Sequence, residues 1–487
     1  MESAAGERRG EIRIMAFWNR RRSIDAMLAP HEGPALKKTL GWPHLMLLGI
    51  GAIVGTGIYT LTGVGVEKAG PGIIVAFAIV GVICACVALA YAELATMMPA
   101  SGGAYTYSYA ALGEAIAWII GWSLILEYSL VVSAVAVGWS EYAVGFLRTV
   151  DIILPQALTA GPHADGIINI PAVLIILAVT GLLLLGTKES ATINAVLVVI
   201  KCSALLVFIA VVAPAFDPAN FEPLMPFGFN KNGPAGAEVG VMAGAAIVFF
   251  AFYGFDAVAT AAEETRNPAR DLTIGILGSM IICTILYMLV AALAVGSMPF
   301  GQFADSGEPL ALILRILEQP LAAQIVAAAV IVGVPTVILA FFYGQTRIFY
   351  VMARDGLLPR RLGRVSQRGV PVVVTLFTAV IVSILAGLLP LDEIAALANA
   401  GTLAAFTAVC ASLLILRVRE TVRTRVFRAP LAWVIGPLGI AGCLYLLFSL
   451  PVNTQVWFLI WNVGGLVIYF AWSAWNSRLA KGEEVQG

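Results

Sequence analysis

Long apolar stretches alternate with short polar islands along almost the whole chain. Marked off by their apolar limits, the stretches run at about 42–66, 71–97, 113–147, 168–186, 190–213, 238–262, 273–298, 321–353, 371–390, 393–417, 432–451 and 454–476. Most approach or exceed the roughly 20 residues that a helix needs to cross hydrocarbon. A helix also satisfies its own backbone hydrogen bonds where there is no water. The islands carry proline, glycine and charge, as in Pro99-Ala100-Ser101-Gly102-Gly103 and Asn267-Pro268-Ala269-Arg270. The pattern predicts an all-α integral membrane protein of about 12 transmembrane helices.

Composition agrees. Of 487 residues, 60% are hydrophobic and only 12% charged, where a soluble domain carries about a quarter. Cys84, Cys86, Cys202, Cys283, Cys410 and Cys443 all fall inside apolar runs and read as small packing residues. His31, His44 and His163 are scattered without ligand spacing, so no metal site is indicated. No Ser/His/Asp set or phosphate loop stands out, and Gly55-Thr56-Gly57 lies within a span, which excludes a dinucleotide fold there. An enzyme is not expected, and no cofactor. The segment before Gly41 is polar and basic with no short apolar core, so no cleavable signal peptide is expected; Met15 is an alternative start.

Net charge is zero, so only the placement of charge informs. With the N-terminus inside, one side collects Arg8, Arg9, Arg13, Arg20, Arg21, Arg22, Lys37 and Lys38. It also collects Arg354, Arg360, Arg361, Arg364, Arg368, Arg417, Arg419, Arg423, Arg425 and Arg428. The other holds Lys68, Arg148, Lys231 and Arg315. This asymmetry is the signature of basic loops retained in the cytoplasm. It favours an even number of spans with both termini cytoplasmic, and it reads as topology, not as a nucleic-acid surface.

Two spans are interrupted. Gly49-Ile50-Gly51-Ala52-Ile53-Val54-Gly55-Thr56-Gly57 concentrates four glycines in the first, and Phe250-Ala251-Phe252-Tyr253-Gly254-Phe255-Asp256 puts a glycine and a carboxylate in the sixth. Close helix packing accounts for either alone. The pair, five spans apart, matches the interrupted helices of inverted-repeat transporters. Unwound backbone frees N–H groups for a carboxylate and C=O groups for an ammonium, and an α-amino acid presents both. Glu127, Lys201 and Asp256 lie well inside spans, where an unpartnered charge is costly. A structural ion pair is the alternative for each. Lysine out of water can take up and return a proton, which makes Lys201 the candidate for proton coupling. Glu93 and Glu141, near span ends, read as interfacial.

The segment Gly-Ile-Gly-Ala-Ile-Val-Gly-Thr-Gly-Ile-Tyr (49–59) resembles the signature of the amino acid–polyamine–organocation superfamily. Residues 249–268, with Gly344-Gln345-Thr346-Arg347 and Met352-Ala353-Arg354-Asp355-Gly356-Leu357-Leu358-Pro359, resemble its cationic amino acid transporter family. The likeness runs from Gly41 to about Arg419. It implies the leucine-transporter fold: a 5+5 inverted repeat plus two helices, with helices 1 and 6 broken. It divides the chain into a cytoplasmic segment (1–40), a transporter core (41–419), helices 11 and 12 (420–477) and a cytoplasmic tail (478–487). It places substrate carboxylate at Gly55, Thr56 and Gly57, and ammonium near Ile53, Phe250, Ala251 and Tyr253, with Phe252 also among the substrate-binding residues. Glu127 and Asp256 join the site region, and Lys201 stands where sodium-coupled relatives bind sodium, so the proton is the expected coupling ion. Tyr253 replaces an aliphatic residue or phenylalanine, and Pro335-Thr336 replaces paired small hydroxyls, which weakens a sodium site further.

The expected function is a proton-coupled L-amino acid symporter of a bacterial inner membrane, leaning toward neutral substrates. An ion-independent amino acid or polyamine exchanger is the first alternative, and a receptor that binds without transport the second. The expected partners are the substrate and the bilayer, with a single-helix membrane subunit left open.

Overall fold

The computed structural model describes residues 20–25, 40–99, 102–184, 191–231, 238–262, 265–303, 306–359, 361–363 and 371–482. Arg8, Arg9, Arg13, Lys37, Lys38, Arg360, Arg364 and Arg368 of the basic clusters, Met15 and His31, and Glu263 and Glu264 of the sixth-span motif lie outside the described residues.

The fold is all-helical and multi-pass. Span 1 is composite, built from α1 (Trp42–Ile53), α2 (Thr56–Tyr59) and α3 (Leu61–Ala69). Span 2 is α4 (Ile73–Met97); a short helix α5 (Gly103–Ala111) then leads into span 3, the long α6 (Glu114–Thr149). Spans 4 and 5 are α7 (Ile170–Leu184) and α8 (Ala191–Val212). Span 6 comprises α9 (Val241–Val248), a 3₁₀ turn over Phe249–Ala251, and α10 (Phe255–Thr260). Span 7 is α11 (Pro268–Ser297), and α12 (Pro309–Ile316) lies in the connection after it. Span 8 is α13 (Pro320–Gly333) with α14 (Pro335–Arg354). The last four spans are α15 (Val372–Leu388), α16 (Leu391–Arg419), α17 (Ala432–Ser449) and α18 (Val452–Ile468).

Local sequence explains the breaks between elements. Pro43, Pro268, Pro320 and Pro335 sit in the first turn of their helices, where the missing N–H has no intrahelical partner to lose. Asn267-Pro268 therefore opens a helix instead of only interrupting one, and span 7 begins five residues earlier than its apolar limit at 273. Span 1 turns into span 2 at Gly70-Pro71-Gly72. Gly70 has φ +61°, a conformation that disfavours any side chain.

Span 6 is central and span 12 peripheral. In its most apolar 18-residue window, span 6 is 94% buried and the last span 17%. In α18 only Thr454 and Gly465 are buried. What holds α18 is a set of indole-to-carbonyl hydrogen bonds with span 3. Trp122 donates to Trp461 O at 2.9 Å, Trp461 returns a bond to Trp122 O at 3.0 Å, and Trp118 donates to Gly465 O at 2.8 Å. The Trp122 and Trp461 rings stack at 4.7 Å.

The N-terminal strap 20–25 and the residues after span 12 meet at the same end of the bundle. Arg20 Nη1 donates to Ala474 O, and Arg478 N donates to Asp355 O. Three buried carboxylates tie this end. Asp355 of the eighth-span motif accepts from Arg22 at 3.1 Å and from Tyr105 at 2.8 Å. Glu114 accepts from Tyr109 and Tyr469 at 3.0 and 3.1 Å, with Arg20 at 3.4 Å. Glu93 accepts two bonds from Arg417 at 2.8 and 2.5 Å and one from Ala429 N at 2.8 Å. Arg425 Nε lies 2.9 Å from its Oε1 as an ion pair. Glu93 is 1% exposed, so it is buried, not interfacial: the loop after span 10 folds back over it. At the other end Arg315 donates to Glu308 at 2.6 Å, and burial pushes the Glu308 carboxyl up against that opposing pull.

Removing one partner of a buried ion pair strands the other. Glu93→Ala should therefore destabilise the detergent-solubilised protein by about 3 kcal/mol. Asp25→Ala, which removes an 81% exposed partner of Arg423, should change stability by less than about 0.5 kcal/mol. Thermal unfolding of both variants checks this; equal melting temperatures would refute the assignment of Glu93 as an anchor.

Candidate functional site

The two broken spans cross at their breaks. In span 1, Val54 and Gly55 are extended (ψ 101°, then φ −157° and ψ −152°), so α1 stops and α2 restarts two residues later. In span 6, Phe249–Ala251 tightens into the 3₁₀ turn and Gly254 adopts φ +122° before α10. Each break holds a glycine against the other's backbone. A Cβ on Gly57 would stand 2.4 Å from Ala251 Cα, and a Cβ on Gly254 would stand 2.8 Å from Ala52 C. Gly57 thus faces span 6 as the residue that lets the two backbones touch.

Orphaned backbone groups at the breaks find side-chain partners from other spans. Lys201 Nζ, on α8, donates to Gly51 O at 2.5 Å and to Thr336 Oγ1 at 3.3 Å. Lys201 is 0% exposed. Tyr287 donates to Ile53 O at 2.8 Å. On span 6, Asn399 Nδ2 donates to Ala246 O at 2.7 Å and Ile247 O at 3.2 Å. Asp256 Oδ1 accepts from Gly254 N at 2.9 Å, capping α10, the placement a helix N-terminus favours for a carboxylate. Tyr128 reaches Asp256 Oδ2 only at 3.5 Å. Thr336 Oγ1 in turn donates to Gly333 O at 2.6 Å, so Pro335-Thr336 forms the break in span 8 and supports the lysine.

Between the breaks lies a narrow cavity of about 10 Å³, lined by Ala52, Ile53, Gly55, Thr56, Gly57, Val131, Val135, Phe250, Tyr253, Val337 and Phe341. That is room for about one water molecule, so the two breaks are nearly closed on one another and the space marks a position more than it measures a ligand. Ile53, Gly55, Thr56, Gly57, Phe250 and Tyr253, expected in the site, line it. Ala251 packs on Gly57, and Phe252 turns away onto Phe77 and Tyr287 at 5.8 and 5.7 Å. Glu127 and Asp256 are outside the lining. Both Glu127 carboxylate oxygens and the Tyr253 hydroxyl are buried without a hydrogen-bond partner among the described residues. The Tyr253 ring is fixed by Phe250 at 4.9 Å and Phe341 at 6.2 Å.

Sequence reasoning missed Ala52, Val131, Val135, Val337 and Phe341. The last four form two i, i+4 pairs, on α6 and α14. Apolar pairs at that spacing also mark lipid-facing stripes, so the signal was there and not distinctive. The eighth-span motif has its own role nearby. Gly344 lets Tyr128 approach, with a Cβ there 3.2 Å from its ring, and Gln345 donates to Ser129 Oγ at 2.6 Å. Together they fasten span 8 to span 3.

A Cβ at either crossing glycine meets backbone, which cannot give way. Gly57→Ala and Gly254→Ala should each lower the melting temperature and the monodisperse yield in detergent. Gly464→Ala, with nothing within 4 Å of the new Cβ, should leave both unchanged. Wild-type stability in Gly57→Ala would overturn the crossing as drawn.

The profile of the family described as amino acid permease matches residues 40–472. The chain is 46% identical over 466 residues to the branched-chain amino acid permease BcaP of Bacillus subtilis, covering 94% of this chain and 98% of that protein. It is 38% identical over 466 residues to the methylthioribose transporter of the same organism, covering 95% and 99%. It is 37% identical over 403 residues to the vacuolar cationic amino acid transporter 2 of Arabidopsis thaliana, covering 82% of this chain and 62% of that one.

Proposed function

The chain belongs to the amino acid permease family, and from that premise we propose that it is a proton-coupled symporter of neutral, aliphatic L-amino acids working by alternating access. That it is a multi-pass amino acid permease and not an enzyme follows from the family. The substrate class rests on one observation, the cavity at the crossing of the broken spans. Its walls are Val131, Val135, Val337 and Phe341, and no charged side chain lines it. A cationic side chain would lose its hydration there with no charged group in the lining itself; Glu127 and Asp256 are outside it, though close enough to act on Tyr253. A branched aliphatic one gains about 25 cal/mol for each Å² it buries. In this reading the amides at Gly55, Thr56 and Gly57 take the carboxylate, and carbonyls at the end of α1 and in the Phe249–Ala251 turn take the ammonium. The name of the relative at 46% identity, a branched-chain amino acid permease, points the same way.

Lys201 is the coupling residue in this proposal. Its ammonium holds Gly51 O, two residues before α1 ends, so charging or discharging it alters how the break beside the substrate is held. A bound substrate and a bound proton then favour the same arrangement of span 1, and the two states differ by no more than their differential affinities. In this proposal the basic end, which carries Arg20, Arg22, Arg417 and Arg425 in its knots, faces the cytoplasm of a bacterial cell, by the retention of basic loops.

Melting curves of the purified protein against the common amino acids and methylthioribose test the substrate class. At 100 times its Kd a ligand adds about 2.7 kcal/mol of stability, so leucine, isoleucine or valine should stand out from arginine and lysine. Stabilisation by arginine alone, or by methylthioribose alone, would replace the proposed class. Proteoliposome uptake tests coupling. Lys201→Ala should retain counterflow of labelled substrate but no longer concentrate it under an inward proton gradient. Gradient-driven accumulation by that variant would rule the lysine out, and wild-type uptake indifferent to a protonophore would point to exchange.

A further inference from the structure

The first halves of both broken spans end on buried side-chain donors at matching places. In span 1 the capped carbonyl is Gly51 O, two residues before α1 ends at Ile53. In span 6 the more closely held carbonyl is Ala246 O, two residues before α9 ends at Val248. The donors come from spans 5 and 10, each four spans after the break it caps. Under the five-helix inverted repeat, span 1 corresponds to span 6 and span 5 to span 10. Lys201 and Asn399 therefore occupy corresponding positions and act on corresponding carbonyls, and both are 0% exposed.

They differ in chemistry. A lysine amine gains and loses a proton; a carboxamide donates at any pH. Both N–H contacts of Asn399 go to consecutive carbonyls at the break, and its Oδ1 has no partner among the described residues. The amide orientation follows from those contacts, since the reverse would set oxygen against two oxygens. The side chain's whole hydrogen-bonding function is thus spent on the break. The carbonyls it holds immediately precede the turn that presents Phe250 and Tyr253 to the cavity.

We propose that Asn399 is a positioning residue, the permanently neutral counterpart of Lys201, which fixes the break of span 6 whatever the protonation state while the break of span 1 is left switchable. One half of the site is then a rigid wall and the other a movable one. On the elements packed against α16, Glu127 of α6 lies against Gly401, two residues from Asn399, while Tyr91 of α4 meets Phe406, Tyr107 of α5 meets Tyr91, and Cys84 of α4 and Cys443 of α17 lie toward Cys410. None of these hydrogen-bonds Asn399 among the described residues, and neither α9 nor the Phe249–Ala251 turn carries a titratable side chain. An acid–base response there has to be introduced.

The test introduces it, and its binding arm rests on the proposed function while its exchange arm does not. Asn399→Leu keeps the bulk and loses the donor. Asn399→Asp keeps the shape and donates only when protonated. In the ligand-free protein, hydrogen exchange at amides 249–254 should rise about tenfold or more in N399L relative to wild type, for the two hydrogen bonds removed, with amides 53–57 unchanged. The leucine affinity of N399D should be within a few-fold of wild type at pH 5.5, where the carboxylic acid still donates one of the two bonds. It should be about tenfold or more weaker than wild type at pH 9.5, high enough to ionise a buried carboxyl and remove both. Taking the ratio cancels the wild type's own pH dependence. A purely structural role lowers stability equally at both pH values and leaves the ratio flat, and a flat ratio or unchanged exchange overturns the proposal. If N399L does not fold, N399D at pH 9.5 supplies the exchange measurement, against wild type at the same pH. If the wild type binds no amino acid, the proposed function fails while the exchange result still decides the role of Asn399.

Discussion

In hydrocarbon, an unpaired peptide group has no water to fall back on, and every break in a membrane helix creates several such groups. This protein breaks two helices at the centre of its bundle, and much of the surrounding architecture serves the groups so exposed. Lys201 and Tyr287 take carbonyls at the end of α1, Asn399 takes those at the end of α9, and Asp256 caps the restart at Gly254. The two segments can lie side by side only because Gly57 and Gly254 each meet the partner's backbone without a side chain between them. In the proposed function, substrate recognition inherits this arrangement: the groups left over after capping are those offered to a zwitterion.

Around that centre the structure separates polar work by location. In the middle of the bundle single side-chain donors such as Lys201, Tyr287 and Asn399 each take backbone carbonyls. The basic end uses ion-pair knots in which one carboxylate collects several donors, as Glu93 does with Arg417, Arg425 and Ala429 N. Two of the family-like motifs divide along the same line. The glycines at 49–57 and Gly254 shape the centre, while Asp355 and Gly356 join the N-terminal strap to the residues after span 12.

Most of the fold was legible because its driving pattern is one-dimensional: long apolar runs, punctuated by Pro and Gly, and basic residues sorted by side. The breaks at Gly55 and Gly254 were legible because glycine in mid-span costs helix stability and calls for a reason. Span ends moved where the apolar count is blind to caps, as at Pro268. Glu93 was misplaced because its distance from a span end says nothing of a loop folding back over it. The cavity's apolar walls were missed for a deeper reason. Val131, Val135, Val337 and Phe341 differ from lipid-facing residues only in which way their helices are turned, and that is fixed by tertiary contacts such as Gln345 with Ser129. Asn399 carried a signal, a lone carboxamide in an apolar helix, but its target was two carbonyls more than 150 residues away.

The reciprocal indole bonds of Trp122 and Trp461 have a practical corollary. They fix the register of span 12 against span 3 from one side and leave its other face, including Leu459, Val463 and Val467, turned to the surroundings at 63, 50 and 63% exposure. Slipping the helix by a single residue would break three carbonyl bonds at once. Span 12 is therefore a surveyor's benchmark for this molecule. A spin label or fluorophore attached at Leu459 sits on a helix tied in register to span 3, and distances measured from it to the broken spans record their displacement relative to that pair.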